Sequence, residues 1–402
     1  MLRLSQFMRD LAAPEGAAPA APSRARPIAR RGTPRPVVIW NLIRRCNLNC
    51  RHCYSISADV DFPGELSTAQ VFAVMDDLRG FGVPALILSG GEPLLRPDIF
   101  EISARAKAMG FYVGLSSNGT AIDAAMADRI AGIGYDYVGI SLDGLEETHD
   151  RFRRQKGAFA ASLAGVRHCC DRGLKVGLRF TITRDNAAEL PALLDLAEAE
   201  EVHKFYLSHL NYAGRGNRNR GDDAEHAMTR RAMDLPFDRC WDQARRGVER
   251  EVTTGNNDAD GVYLLHWARR RVPERAERLR ARLLRWGGNS SGVNVANIGN
   301  LGHVHPDTMW WHHSLGNVKD RPFSEIWSDL SEPLLAGLRA RPRAVTGRCG
   351  TCRHLAICNG SSRVRPFRAH GDVWAEDPGC YLTDAEIGLE PAEEGADALA
   401  LA

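Results

Sequence analysis

Between residues 36 and 213, six short β-branched or aliphatic runs alternate with longer segments of helical periodicity, and this alternation limits the fold more than any other feature. The runs fall at 37–42, 85–89, 112–116, 137–141, 176–182 and 205–210, and helices are expected at 68–81, 97–109, 121–133, 158–172 and 187–201. Runs this continuously apolar suit strands buried on both faces. Six βα units therefore imply a parallel sheet covered by helices, either an open doubly wound sheet or a partial barrel. In both, ligands collect at the C-terminal ends of the strands.

The flanking segments differ. Residues 1–35 begin with an amphipathic helix expected at 2–11 and continue as an Ala/Pro/Arg-rich stretch that cannot build a core, so a flexible arm is expected. After a Gly/Arg/Asn-rich connection at 214–221, helices near 227–250 and 260–286 form a helical bridging region, 214–300. A cysteine-rich unit follows at 301–385, and the acidic, Ala-rich tail at 386–402 is expected to be disordered.

Polar motifs stand at four successive strand ends. Cys46, Cys50 and Cys53 follow the first run and can bring three thiolates together, which suits an iron-sulfur cluster. A zinc site would need a fourth ligand nearby, for which His52 is the candidate. After the second run comes Ser89-Gly90-Gly91-Glu92-Pro93, with two glycines that permit close backbone approach and a carboxylate for a cationic amine. Asn118 and Ser141 close the third and fourth runs. Asp143, Arg153 and Arg154 read equally well as capping or surface residues, whereas Arg179 lies inside a strand and calls for a partner or a ligand.

CxxxCxxC on the first βα loop with Gly-Gly-Glu-Pro after the second strand resembles the radical S-adenosylmethionine (radical SAM) superfamily. The resemblance implies a partial (β/α)6 TIM-like barrel at 36–213, a 4Fe-4S cluster on Cys46, Cys50 and Cys53, and SAM chelated to the iron they leave free. It further implies SAM contacts by His52, Gly90, Gly91, Glu92, Asn118 and Ser141, with Arg153 and Arg179 as further carboxylate candidates. The cleavage needs an electron, so a flavodoxin or ferredoxin is the implied partner.

Cys349, Cys352, Cys358 and Cys380 supply four more thiolates, which suit either zinc or a fully ligated 4Fe-4S cluster. This stretch is similar to the SPASM or twitch extension of radical SAM enzymes, which implies a small C-terminal iron-sulfur domain and favours the cluster. The seven-cysteine version has cysteines where this chain has Asp307 and Ser362, so two 4Fe-4S clusters are expected in total. The remaining cysteines, Cys169, Cys170 and Cys240, are expected to be structural.

Composition narrows the partners. Lys+Arg 52 against Asp+Glu 50 gives no basic field for nucleic acid. No apolar run is long enough to span a membrane, and no signal-peptide pattern is present, so a cytoplasmic protein is expected. The segment 303–313 concentrates four histidines and two tryptophans, which could move protons or stack on a flat ring, and makes His303, His305 and Asp307 the catalytic candidates. Over nearly its whole length the chain resembles the NirJ family of haem d1 biosynthesis, which implies a tetrapyrrole substrate, 12,18-didecarboxysirohaem, and removal of its two propionates on rings A and B. Two rival readings are a peptide-modifying SPASM maturase and a non-enzymatic electron carrier or zinc-stabilised module.

Overall fold

The helices start and stop where the sequence carries end signals. In a computed structural model that describes residues 1–14 and 33–389, Ser67 and Gln70 form a reciprocal cap before the helix Thr68–Phe81, and Gly82 ends it in the left-handed conformation. Asp123 caps the helix Ala124–Ile133 by accepting from the Met126 N–H, and Gly134 closes it.

The strands are β1 (Val37–Ile43), β2 (Ala85–Gly90), β3 (Tyr112–Ser117), β4 (Tyr137–Ser141), β5 (Val176–Ile182), β6 (Lys204–His209), β7 (Glu251–Gly255), β8 (Val295–Ile298), β9 (His303–His305) and β10 (Gly316–Asn317). The helices used below are α1 (Leu4–Ala12), α2 (Glu146–Arg153), α3 (His226–Arg245), α4 (Ala259–Arg271), α5 (Ala276–Trp286), α6 (Leu355–Cys358), α7 (Val364–His370) and α8 (Asp384–Ile387). One sheet holds all ten strands, in the order β10-β9-β8-β1-β2-β3-β4-β5-β6-β7. β1 to β8 run parallel, and β9 alone runs against them, pairing antiparallel with β8 on one side and β10 on the other. The sheet curves without closing, as an open barrel, so the expected α/β partial barrel is present. β1, β2, β3 and β4 end together beneath the four polar motifs.

The six expected strands are all found, within one residue at either end. Two further strands lie inside the segment read as a helical bridge. β7 carries a single large apolar residue, Val252, and β8 carries the buried Asn297, which donates to the Ile39 carbonyl at 2.6 Å; neither has the aliphatic run that marks a buried strand. β8 to β10 continue the barrel sheet, and Ile357, Tyr381 and Leu382 pack into its main core, so 301–385 shares the barrel's interior.

The expectation of a flexible arm fails over its first 14 residues. Leu2 pairs with Thr254 on β7, its N–H donating at 2.8 Å and its carbonyl accepting at 2.9 Å. Leu4, Phe7, Met8 and Leu11 of α1 are buried against α3 and β7. α1 thus covers the open edge of the sheet. The rest of the arm, 15–32, and most of the tail, 390–402, lie outside the described residues. Near the tail, Glu386 of α8 is bound by Arg230 through both guanidinium nitrogens at 2.8 and 2.9 Å. Among the described residues, no helix is long and apolar enough to cross a membrane.

Candidate active site

Three cysteines separated by three and two residues can converge only if the loop after β1 doubles back. Cys46, Cys50 and Leu48 are buried together and Cys53 packs against them. Burial pushes the Cys46 thiol up to about 12, and it raises Cys50 as well, so free thiolates would be costly here. Donors aimed at the sulfurs answer this: the Leu48 N–H lies 3.4 Å from Cys46 Sγ, Asn118 Nδ2 3.8 Å from the same sulfur, and Arg153 Nη1 3.4 Å from Cys50 Sγ. At Cys53 burial also opposes the charge, but hydrogen bonds from Ser55 and Ser57 and the nearby Arg215 prevail and lower the thiol. Thiolates ringed by N–H and O–H donors are the environment of an anionic iron-sulfur cluster. His52, the candidate fourth zinc ligand, instead pairs through Nε2 with Asp222 at 2.8 Å. Among the described residues, no three His, Cys, Asp or Glu side chains converge closely enough for a single ion.

The Gly-Gly-Glu-Pro turn works through this loop. A Cβ on Gly90 would overlap the Ile43 carbonyl, and one on Gly91 the Arg44 and Arg45 carbonyls. The N–H groups of Gly91 and Glu92 donate to Ile43 and Arg45 at 2.7 and 2.9 Å. The glycines let the turn lie directly on the cysteine loop, a closer approach than the ligand contact expected of them. Glu92 is fully buried; its carboxylate accepts from Leu94 N–H (3.2 Å), Ser117 Oγ (2.9 Å) and Asn118 N–H (2.8 Å). Burial pushes its carboxyl up to about 7 against these donors, so a nearby cation would favour the ionised form.

The other expected SAM residues spread along the same strand ends. Asn118 Nδ2 also donates to Asn47 Oδ1 at 2.9 Å. Arg153, at the end of α2, is buried between Cys50 and Asp143 and pairs with Asp143; despite a burial that opposes its charge, these two neighbours raise its pKa. Arg179 crosses from β5 over Gly139 to Ser116 Oγ, and Gly139 has no side chain to block it. Ser141 sits beside Arg179 in the β4–β5 register, partly buried. His52 rests on Phe152, ring centroids 4.7 Å apart.

The connection at 214–221 proves to be a clamp. Arg215 is buried and donates to the carbonyls of Cys50 (2.7 Å) and Ser57 (2.8 Å), Asn219 donates to Arg51, and Asp222 holds both Arg51 and His52. Its density of Arg and Asn after Gly214 was the signal available in the sequence. Beside it lies a cavity of about 330 Å³, walled by Tyr54, Arg218, Trp311 and Arg368 among others. His303 and His305 do not line it. His303 is exposed next to Ser314, and His305 is buried, its Nδ1 2.7 Å from the His313 carbonyl; burial pushes it down to about 4 and keeps it neutral. Asp307 accepts from the Met309 N–H at 2.8 Å. The segment 303–313 does reach the site, but through Trp311 and His312.

Cys349, Cys352, Cys358 and Cys380 gather elsewhere, around α6. Cys358 is raised first by burial and then by the neighbouring Cys380, Cys349 and Cys352 thiols. N–H groups of Asp377 and His354 donate to Cys349 and Cys352 at 3.4 and 3.3 Å. Three buried arginines surround the group. Arg365 pairs with Asp377 at 2.6 Å, while among the described residues Arg343 and Arg363 bind carbonyls and amides with no carboxylate partner. Two buried cations beside four thiols fit a ligand set of net negative charge. Where further cysteines would stand, Ser362 accepts from Asn211 at 3.0 Å and Asp307 closes its turn.

Residues 40–197 match the family model of the radical SAM superfamily. The chain is 56% identical over 390 residues to the pre-heme d1 synthase of Dinoroseobacter shibae, covering 96% of this chain and 94% of that one. It is 46% identical over 361 residues to the Fe-coproporphyrin III synthase of Methanosarcina barkeri, covering 89% and 90%. Among solved structures, Streptococcus suis SuiB bound to S-adenosylmethionine superposes with a TM-score of 0.67 at 17% identity, over 87% of this chain and 78% of that one. With relatives that match it almost end to end, the chain belongs to the radical SAM superfamily, as an enzyme that uses SAM and a 4Fe-4S cluster.

Proposed function

We propose that the chain is a radical SAM enzyme of haem d1 biosynthesis that removes the propionates on rings A and B of 12,18-didecarboxysirohaem. The observation that carries this reading is the 56% identity to a pre-heme d1 synthase over 94% of its length. The relative at 46% identity is also named for a haem precursor, which supports a tetrapyrrole as the substrate class. The likeness to SuiB, at 17% identity, is one of fold alone and gives the peptide-modifying reading no support.

Cys46, Cys50 and Cys53 would hold the catalytic cluster, and with SAM bound it would supply a 5'-deoxyadenosyl radical. The chain's own groups set the stage for it. Glu92 would bind the methionyl amine, and Gly90 and Gly91 would bring the turn's backbone to it; Asn118, Ser141 and Arg179 would be the polar groups for ribose and carboxylate, and His52 would offer its backbone to adenine. Arg153, already engaged by Asp143 and Cys50, serves the cluster's charge rather than the SAM carboxylate. Cys349, Cys352, Cys358 and Cys380 would hold a saturated auxiliary cluster that moves electrons. A flavodoxin or ferredoxin supplies the reducing electron in the cytoplasm.

The test is turnover. Anaerobically reconstituted protein with SAM, dithionite and didecarboxysirohaem should give a product lighter by two propionate side chains in the mass spectrum. An unchanged tetrapyrrole in the presence of SAM cleavage would refute the substrate.

A further inference from the structure

Resting on the tetrapyrrole reading, we propose that the 330 Å³ cavity receives the carboxylate-bearing edge of the flat macrocycle, with Arg218 and Arg368 binding two side-chain carboxylates and Trp311 bordering the ring. The cavity lies where the chemistry must reach. Tyr54 on its wall follows Cys53, and Gly214, also on the wall, precedes Arg215, whose N–H lies 2.9 Å from the Cys53 carbonyl. Gly214 makes the contact feasible: its φ is +54°, and a Cβ there would overlap the Cys53 and Tyr54 carbonyls.

The charge at the cavity is uncompensated. Of the neighbouring arginines, Arg365 is paired with Asp377, and Arg215 donates through Nε and Nη1 to the Cys50 and Ser57 carbonyls. Among the described residues, neither Arg218 nor Arg368 forms an ion pair, and Arg368 Nε is buried without an acceptor. Two more groups there lack partners: Trp311 Nε1, a donor, and Asn217 Oδ1, an acceptor. Buried polar atoms left unpaired cost about 1–3 kcal/mol each, so three such atoms around one cavity, with the exposed Arg218 at its rim, mark a place built for a polar ligand. The planar fork of a guanidinium matches a carboxylate bidentately. Aromatic rings supply the apolar side: His312 at the rim stacks between Trp310 (5.3 Å) and Phe367 (4.9 Å), and Trp311 lies over His305 (6.1 Å). A volume of about 330 Å³ is at the small end for organic ligands, which suits one edge of a macrocycle whose remainder projects outward.

Binding of 12,18-didecarboxysirohaem to the reconstituted full-length enzyme, followed by its absorption band, tests the assignment. Arg218→Gln and Arg368→Gln should each weaken binding about tenfold and the double variant about 100-fold, the size expected of charge-assisted hydrogen bonds. Arg368→Lys should recover part of the loss, and Arg280→Gln, on α5 away from the cavity, should change nothing. The methyl-esterified macrocycle should bind wild type about as weakly as the double variant binds the free acid. Equal affinity of wild type and double variant for the free acid would overturn the cavity assignment alone. A wild type that binds no tetrapyrrole would overturn the substrate reading and the cavity proposal with it.

Discussion

The two cysteine groups place the same residue in different settings: Cys46 and Cys50 are buried, whereas Cys53 and the four cysteines of the quartet are half-buried. The triplet sits on a loop at the mouth of the barrel, next to a cavity, with two buried cations, Arg153 paired with Asp143 and Arg215 bound to the Cys50 and Ser57 carbonyls. The quartet lies around α6 with two buried guanidiniums, Arg343 and Arg363, that have no carboxylate partner among the described residues. Three ligands leave an iron open to chelate SAM; four close the cluster and leave it only electrons to exchange. On the proposed assignment, ligand count and access would separate a reacting centre on the triplet from an electron-transfer cluster on the quartet, although both are made of the same residue.

The comparison breaks most severely if the groups are interchangeable. Cys50→Ala should abolish 5'-deoxyadenosine formation and remove roughly four of about eight irons, whereas Cys358→Ser should remove a similar amount of iron and leave SAM cleavage measurable; chromatography of the nucleoside with iron analysis separates them. Arg153→Met should cost about 3–5 kcal/mol of stability, because Asp143 is left buried and unpaired; a drop of several degrees in the thermal midpoint checks this. Arg363→Met removes a buried cation beside the quartet and should move the auxiliary cluster's midpoint potential in the negative direction, with the triplet's potential unmoved, as read by EPR-monitored redox titration.

The smallest effect concerns how the quartet region is tied down. Burial alone would raise the Glu386 carboxyl, but Arg230 and the Thr383 N–H outweigh it and hold it at about 2, against 4.5 when unfolded. A depressed carboxyl stabilises the fold above the unfolded value and loses that contribution as pH falls through the folded one. Glu386→Gln should therefore lower stability by about 1–2 kcal/mol near neutrality, after discounting for solvent screening. The difference in thermal midpoint from wild type should shrink as pH drops from about 4.5 towards 2.

What the sequence made legible followed from strong local patterns. The aliphatic runs located β1 to β6, and the cysteine spacings with Gly-Gly-Glu-Pro marked the site, because strand burial and cluster ligation each leave a regular signature. β7 and β8 were hidden: an edge strand and one with a buried Asn297 carry no aliphatic run. The helix expected at 2–11 is α1, but the mobility expected of residues 1–35 missed its docking, because its burial depends on partners more than two hundred residues away. Arg218 and Arg368 stand 150 positions apart and meet only through the fold, so no motif could join them to Trp311. The role of Gly90 and Gly91 was likewise tertiary, since what they approach is the backbone of Ile43 to Arg45.

The claim that the triplet is the reacting centre is tested most directly by reducing the fully reconstituted protein in the presence of SAM and assaying 5'-deoxyadenosine. Wild type should form it, and variants that lack Cys46, Cys50 or Cys53 should form none. A protein that carries about eight irons and leaves SAM intact, or a Cys50→Ala variant that still cleaves it, would contradict the account.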